Sequence, residues 1–282
     1  MALQPEFKFV GDDLSKIIEC VANVSEGRDS QLVAELVAAA DGNAGARCVN
    51  CESDVDHNRS VLTILGESTA VGDAAIALVE RAVWSIDLAK HDGVHPRGGA
   101  VDVLPFVPLQ WTNVRECESL AKRVADHLSA IGIPTALYGH GQSPLPEVRA
   151  TRPETAAGVT CVGAREILIA FNVNLESTDL AAARAIAKSV RERDGGLPAV
   201  RALGFALSSK GCVQVSMNLL DYRVTGIEQA FLAVRDLAAQ AGIDLRESEL
   251  IGLAPEAAWP NASEASASVR NFTPEKLIEF WL

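Results

Sequence analysis

Two histidines stand close together in the segment HDGVHPRGGAVDV, His91 and His95. On a helix that spacing would put both rings on one face, as a pair of metal ligands requires. Gly93, Pro96, Gly98 and Gly99 argue against a helix here. No third ligand stands nearby, so no metal site is expected. The segment reads instead as a loop that carries His95 and Arg97 from a helix end to a strand start. Pro96 biases His95 toward extended backbone. An imidazole with an unperturbed pKa of ~6.5 suits proton transfer near neutrality. Arg97 offers a planar fork of donors for a carboxylate. A Gly-rich connector with a merely exposed histidine fits the same composition equally well.

A second segment, NVSEGRDS, places Asn23, Ser25, Glu26 and Arg28 just before a predicted helix. Backbone N–H groups at a helix start can receive an anion, although simple capping by Asp29 or Ser30 explains the pattern more economically. A third, GVTCVGAREI, holds Gly158, Thr160, Cys161, Val162, Gly163, Ala164 and Arg165. Its glycines would let backbone approach a flat ligand, and a flexible linker end is the simpler reading. It is not a dinucleotide fingerprint, because no strand precedes it and no helix follows. Cys48 and Cys51 have CxxC spacing without a matching second pair. In a strand, positions three apart point to opposite faces, which argues against zinc. Cys161 reads as lining rather than as a nucleophile.

The elements that must position these residues repeat. A strand over residues 17–24, a helix from about Gln31, two strands (ARCVNCES and RSVLTILGE), a helix from Thr69 to Asp87 and a strand from Val101 make one β-α-β-β-α-β run. A helix over Val114–Ile131 and a short strand, PTALYG, are appended. From about Glu166 the order recurs: ILIAFNVNL, STDLAAARAIAKSV, VRALGFALSS, CVQVSMNLL, TGIEQAFLAVRDLAAQAG and SELIGLA. The expected fold class is therefore α+β, with two ferredoxin-like subdomains side by side and a ligand cleft between them. The expected boundaries are 1–139, a linker over 140–164 that crosses the cleft, and 165–282. NASEASAS near the end reads as mobile, and TPEKLIEFWL as a short amphipathic helix docking through Leu277, Phe280 and Trp281.

The 282 residues carry 25 basic and 37 acidic side chains, a formal net charge of −12. That balance excludes a general nucleic-acid binder and disfavours anionic membrane surfaces. No stretch approaches the ~20 apolar residues of a membrane span, and the start MALQPEFKFVGDD has no apolar signal core. Six cysteines in a chain of this length fit free thiols in a reducing cytoplasm.

Taken together, ECVANVSEGR, SDVDHNRSV, KHDGVHPRGGAVDVLPFVPL, VTCVGAREILIAFNVNL and QVSMNLLDYRVT resemble the glutamate formimidoyltransferase family from about Glu19 to Pro255. The resemblance implies two similar α/β subdomains, small-molecule substrates and a homodimer. It implies a short form without the cyclodeaminase domain found fused in some members. The implied reaction moves a formimino group from N-formimino-L-glutamate to N5 of tetrahydrofolate, the co-substrate. The family's catalytic histidine falls at His95, with Asn23 and Glu26 as candidates for orienting it or the donor. Its folate segment falls on Gly158–Ile167. Lys90, Arg97, Asn58, Arg59 and Arg165 become candidates for contacts to the anionic substrates. The chain departs from the family between Gly139 and Gly158, where the connector is much shorter, and at Cys161 and Glu166. The resemblance leaves two alternatives open: a relative acting on a formyl or formimino group of another small molecule, and a non-catalytic folate-like ligand binder.

Overall fold

The computed structural model describes residues 15–139, 157–260 and 263–282. They form two compact units that divide between Glu166 and Ile167. In the first, the order is β1 (Ile17–Val24), α1 (Ser30–Asp41), β2 (Ala46–Asp54), β3 (Arg59–Glu67), α2 (Ser68–Ser85), β4 (Val101–Gln110), α3 (Val114–Ala130), β5 (Thr135–Gly139) and β6 (Thr160–Ala164). The strands make one sheet in the order β2-β3-β1-β4-β6-β5. The first four are antiparallel, and β6 runs parallel to both β4 and β5.

Period-two alternation decides which side chains enter the core. Ile18, Cys20, Ala22 and Val24 of β1 join Leu36 and Ala40 of α1, Leu78 and Val79 of α2, and Leu120 and Val124 of α3 in one apolar cluster. Glu19 and Asn23 alternate with them and face away from the helices. Asp29 starts α1 by accepting the N–H groups of Gln31 and Leu32, each at 3.0 Å.

The second unit repeats the run: β7 (Ile169–Leu175), α4 (Leu180–Val190), β8 (Val200–Leu207), β9 (Cys212–Leu219), α5 (Ile227–Gln240) and β10 (Leu245–Ile251). Its antiparallel sheet has the order β10-β7-β9-β8. That order, fourth-first-third-second, is also the order of β4-β1-β3-β2. The predicted α+β repeat is present in both units.

Three local expectations need correction. Residues 160–164, read as the end of a linker, are a buried strand between β4 and β5. Their short apolar run lacked the length that marks a strand, and parallel pairing on both sides supplies the missing stability. Residues 140–156 of that linker lie outside the described residues, as does the start of the chain through residue 14. Cys48 and Cys51 both pack against the helix-side core, because the β2–β3 register slips between Cys48 and Asn50. A β-bulge of this kind cancels the alternation that predicted opposite faces. At the end of the chain, Ser263 caps a short helix, α6 (Glu264–Ser268), with a full capping box. The last residues form two 3₁₀ turns instead of an α-helix. Leu277 between them is extended and bridges to Ala254, which interrupts helical pairing. Ile278 and the Lys276 stem are buried there, with Lys276 Nζ donating to the Leu250 carbonyl at 2.8 Å. Leu277, Phe280 and Trp281 are half-buried.

Candidate functional site

The antiparallel register brings the end of β1, the β2–β3 turn and the start of β4 to one edge of the first sheet, since Val24 pairs with both Ser60 and Val101. Parallel β6 begins at the same edge, where Gly158 bridges to Gly99. Four sequence-distant segments therefore meet at the loop that carries His95.

Backbone contacts lock these segments together. Ser25 donates from its N–H to Ala100 O at 2.8 Å and from its hydroxyl to Gly99 O at 2.8 Å. Asn58, left-handed at φ 46°, accepts the Gly27 N–H at 3.0 Å and donates to Asp92 O at 2.9 Å. Its own carbonyl accepts from His91 Nε2 at 2.8 Å. Burial pushes the His91 pKa down, so this ring is a neutral staple. Gly93 is pressed so close to the turn that a Cβ there would lie 2.3 Å from the His57 carbonyl.

His95 is half-buried among these loops. Arg59 Nη1 donates to His95 Nδ1 at 2.8 Å and to Asp102 Oδ2 at 3.3 Å. Arg59 Nε donates to Asn23 Oδ1 at 2.9 Å. Asp102 is 1% exposed, and its other oxygen accepts the Gly98 N–H at 2.8 Å. It is the residue of β4 skipped when the register jumps from Asn23–Val103 to Val24–Val101. That bulge supplies a carboxylate at the strand start, a known use of bulges beside functional sites. The Pro96 carbonyl lies 2.7 Å from His95 Nδ1, and the His57 ring stands 5.8 Å away, centroid to centroid.

The expected site residues separate accordingly. Asn23, Arg59 and His95 come together. Asn58 and Arg97 lie in the same loops, with side chains committed to backbone: Arg97 donates to the carbonyls of His91, Gly93 and His95 at 2.7–3.2 Å. Glu26 turns back on its own loop, accepting the N–H groups of Arg28 and Asp29 at 2.7 and 2.9 Å. Lys90 is exposed and pairs with Asp87 at 3.1 Å. In the Gly158 segment, Thr160, Cys161, Val162, Gly163 and Ala164 are all buried strand interior. Gly158 lies at the His95 edge. Arg165 lies at the opposite end of β6, where its N–H donates to Phe106 O at 3.1 Å. There it faces Glu19, a carboxyl that burial pushes up to about 7 against the pull of Arg165.

The sequence reading missed Asp102 and Glu19. Each interrupts an otherwise apolar strand, AVDV and IIECV, and a charge in such a run signals either a buried partner or a function. Burial pushes the Cys48, Cys51 and Cys117 thiols up to about 12, 11 and 12, which leaves none of the three as a ready thiolate.

The chain is similar in sequence to known proteins. The N-terminal subdomain of the formiminotransferase domain matches residues 17–157, and the formiminotransferase domain matches residues 170–273. The chain is 35% identical to the glutamate formimidoyltransferase of Streptococcus pyogenes serotype M1, covering 94% of this chain and 98% of that one. It is 37% identical to the glutamate formimidoyltransferase of Thermoplasma acidophilum, over 93% and 96%. It is 34% identical to the formimidoyltransferase-cyclodeaminase of Mus musculus, covering 86% of this chain and 51% of that protein. With both family models matched in order and two glutamate formimidoyltransferases aligned along nearly their whole length, this chain belongs to the formiminotransferase family.

Proposed function

We propose that this protein is a transferase that moves the formimino group of N-formimino-L-glutamate to N5 of tetrahydrofolate, with His95 as the acid–base group. The observation that carries this reading is a half-buried imidazole bonded to Arg59, on a loop that is tied to the end of β1, the β2–β3 turn and Gly158, in a chain whose relatives are named for formimino transfer.

The chemistry needs two proton movements. N5 attacks the amidine carbon and forms a C–N bond, after which N5 must lose a proton. The bond from that carbon to the glutamate nitrogen then breaks, and the departing nitrogen must gain a proton. One imidazole held between the two nitrogens can take the first proton and return it to the second. General acid–base assistance of this kind is worth typically 10²–10⁴-fold. Holding two substrates in register lowers the barrier further by removing translational freedom before reaction. Tetrahydrofolate would approach at the Gly158 end of its segment, with the buried strand behind it as support.

The test is an assay with both substrates. Purified protein is expected to consume N-formimino-L-glutamate only when tetrahydrofolate is present, releasing one glutamate per formimino group transferred. Turnover without tetrahydrofolate would mark a hydrolase, and folate binding without turnover would mark a ligand binder.

A further inference from the structure

We propose that Arg59 decides which nitrogen of the His95 ring carries the proton, and that the resting protein holds it on Nε2. The tautomer rests on the two contacts at Nδ1 and their relative strength, while its meaning for catalysis rests on the acid–base role assigned to His95 above.

A guanidinium has only donors and keeps its charge throughout the working pH range. Arg59 Nη1 lies 2.8 Å from His95 Nδ1, so that nitrogen must offer a lone pair to it. The guanidinium is held in place from other sides. A second Nη1 proton serves Asp102 Oδ2 at 3.3 Å, and the Nε proton serves Asn23 Oδ1 at 2.9 Å. Asp102 is itself anchored by the Gly98 N–H at 2.8 Å. In a neutral ring whose Nδ1 accepts from Arg59, the single proton sits on Nε2.

The same Nδ1 has a second neighbour of opposite kind. The Pro96 carbonyl oxygen, 2.7 Å away, can only accept. One nitrogen cannot accept from Arg59 and donate to Pro96 in a single state, so the ring has two states. In the first, Nδ1 is bare and bonded to Arg59, and Nε2–H is a donor. In the second, Nδ1–H donates to Pro96 and Nε2 is a bare base. A hydrogen bond from a charged donor is roughly twice as strong as one between neutral groups, which favours the first state at rest. With Nδ1 turned to Arg59 and Pro96, a base that takes the amine proton through Nε2 needs the second. The change removes a proton from Nε2 and places one on Nδ1, so the ring's charge is unchanged. Arg59 must leave Nδ1 as this happens, and Asp102 and Asn23 retain its hold on the site. Arg59 is thus a positioning residue, in place of the substrate contact that the sequence alone suggested.

The experiment is long-range ¹H–¹⁵N NMR on the full chain labelled at histidine, without substrates and above the pH at which the ring is protonated. The His95 signal is assigned by its loss in His95→Gln. Wild type is expected to show an unprotonated Nδ1 and a protonated Nε2. The double variant Arg59→Met, Asp102→Asn removes the donor without stranding a buried carboxylate, and is expected to reverse the pattern. A wild-type ring protonated at Nδ1 would overturn the proposal on its own, even if the variant failed to fold. An unreversed pattern in the folded variant would also overturn it. Because no substrate is used, a failed transfer assay leaves this result standing, and a wrong tautomer leaves the transfer reading standing.

Discussion

The Arg59 guanidinium and the Asp102 carboxylate form an ion pair 3.3 Å apart, with side chains only 13% and 1% exposed. Removing one partner of such a pair leaves a buried charge uncompensated, which typically costs about 3–5 kcal/mol. Asp102→Ala is therefore expected to lower the urea midpoint by that order of stability. Asp126→Ala is the control. Asp126 pairs with Lys122 at 2.6 Å, but both side chains are more than 60% exposed, and loss of an exposed pair is worth under about 1 kcal/mol. Equal effects of the two substitutions would contradict the account of the site.

Glu19 gives a prediction with a definite sign. Burial raises its carboxyl from 4.5 to about 7, so between those values the folded state binds a proton that the unfolded chain has released. Stability from this group is full below about 4.5 and is lost as pH rises through about 7. The total is about 3 kcal/mol. Glu19→Gln is expected to flatten that fall, measured as the difference between urea midpoints below and above the window. An unchanged slope in the variant would show that Glu19 ionises normally in the fold.

Gly158 sits at φ 70°, and a Cβ on it would lie 2.2 Å from the Gly98 carbonyl oxygen. Left-handed backbone alone costs a non-glycine residue about 1–2 kcal/mol, and the clash adds to it. Gly158→Ala is expected to destabilise the protein by about 2–3 kcal/mol and to loosen the bridge to Gly99 beside the His95 loop. Hydrogen exchange at Val159 N–H, which donates to Gly98 O at 2.9 Å, reads the local effect. Wild-type protection there would contradict it.

The repeated β-α-β-β-α-β order was legible because its long elements have clean periods, such as the alternation of Ile18, Cys20, Ala22 and Val24 in β1. Strand β6 was not, since five residues that include Gly163 carry too little pattern and their pairing is entirely non-local. At the site, the local chemistry of His95 and its proline could be read directly. The partners could not: Arg59 and Asp102 lie 43 residues apart, and only the sheet register and a bulge bring them together. Arg97 illustrates the same limit: its sequence neighbour His95 suggests a ligand contact, and the three backbone carbonyls that its guanidinium also holds were not legible.

The most direct test of the central claim is the rate of tetrahydrofolate-dependent formimino transfer in wild type and in His95→Ala, with folding checked by circular dichroism. His95 is half-buried on a loop and adds little to either core, so the variant is expected to fold normally and to lose about 10²–10⁴-fold in kcat. A folded His95→Ala that transfers the formimino group at the wild-type rate would contradict the account.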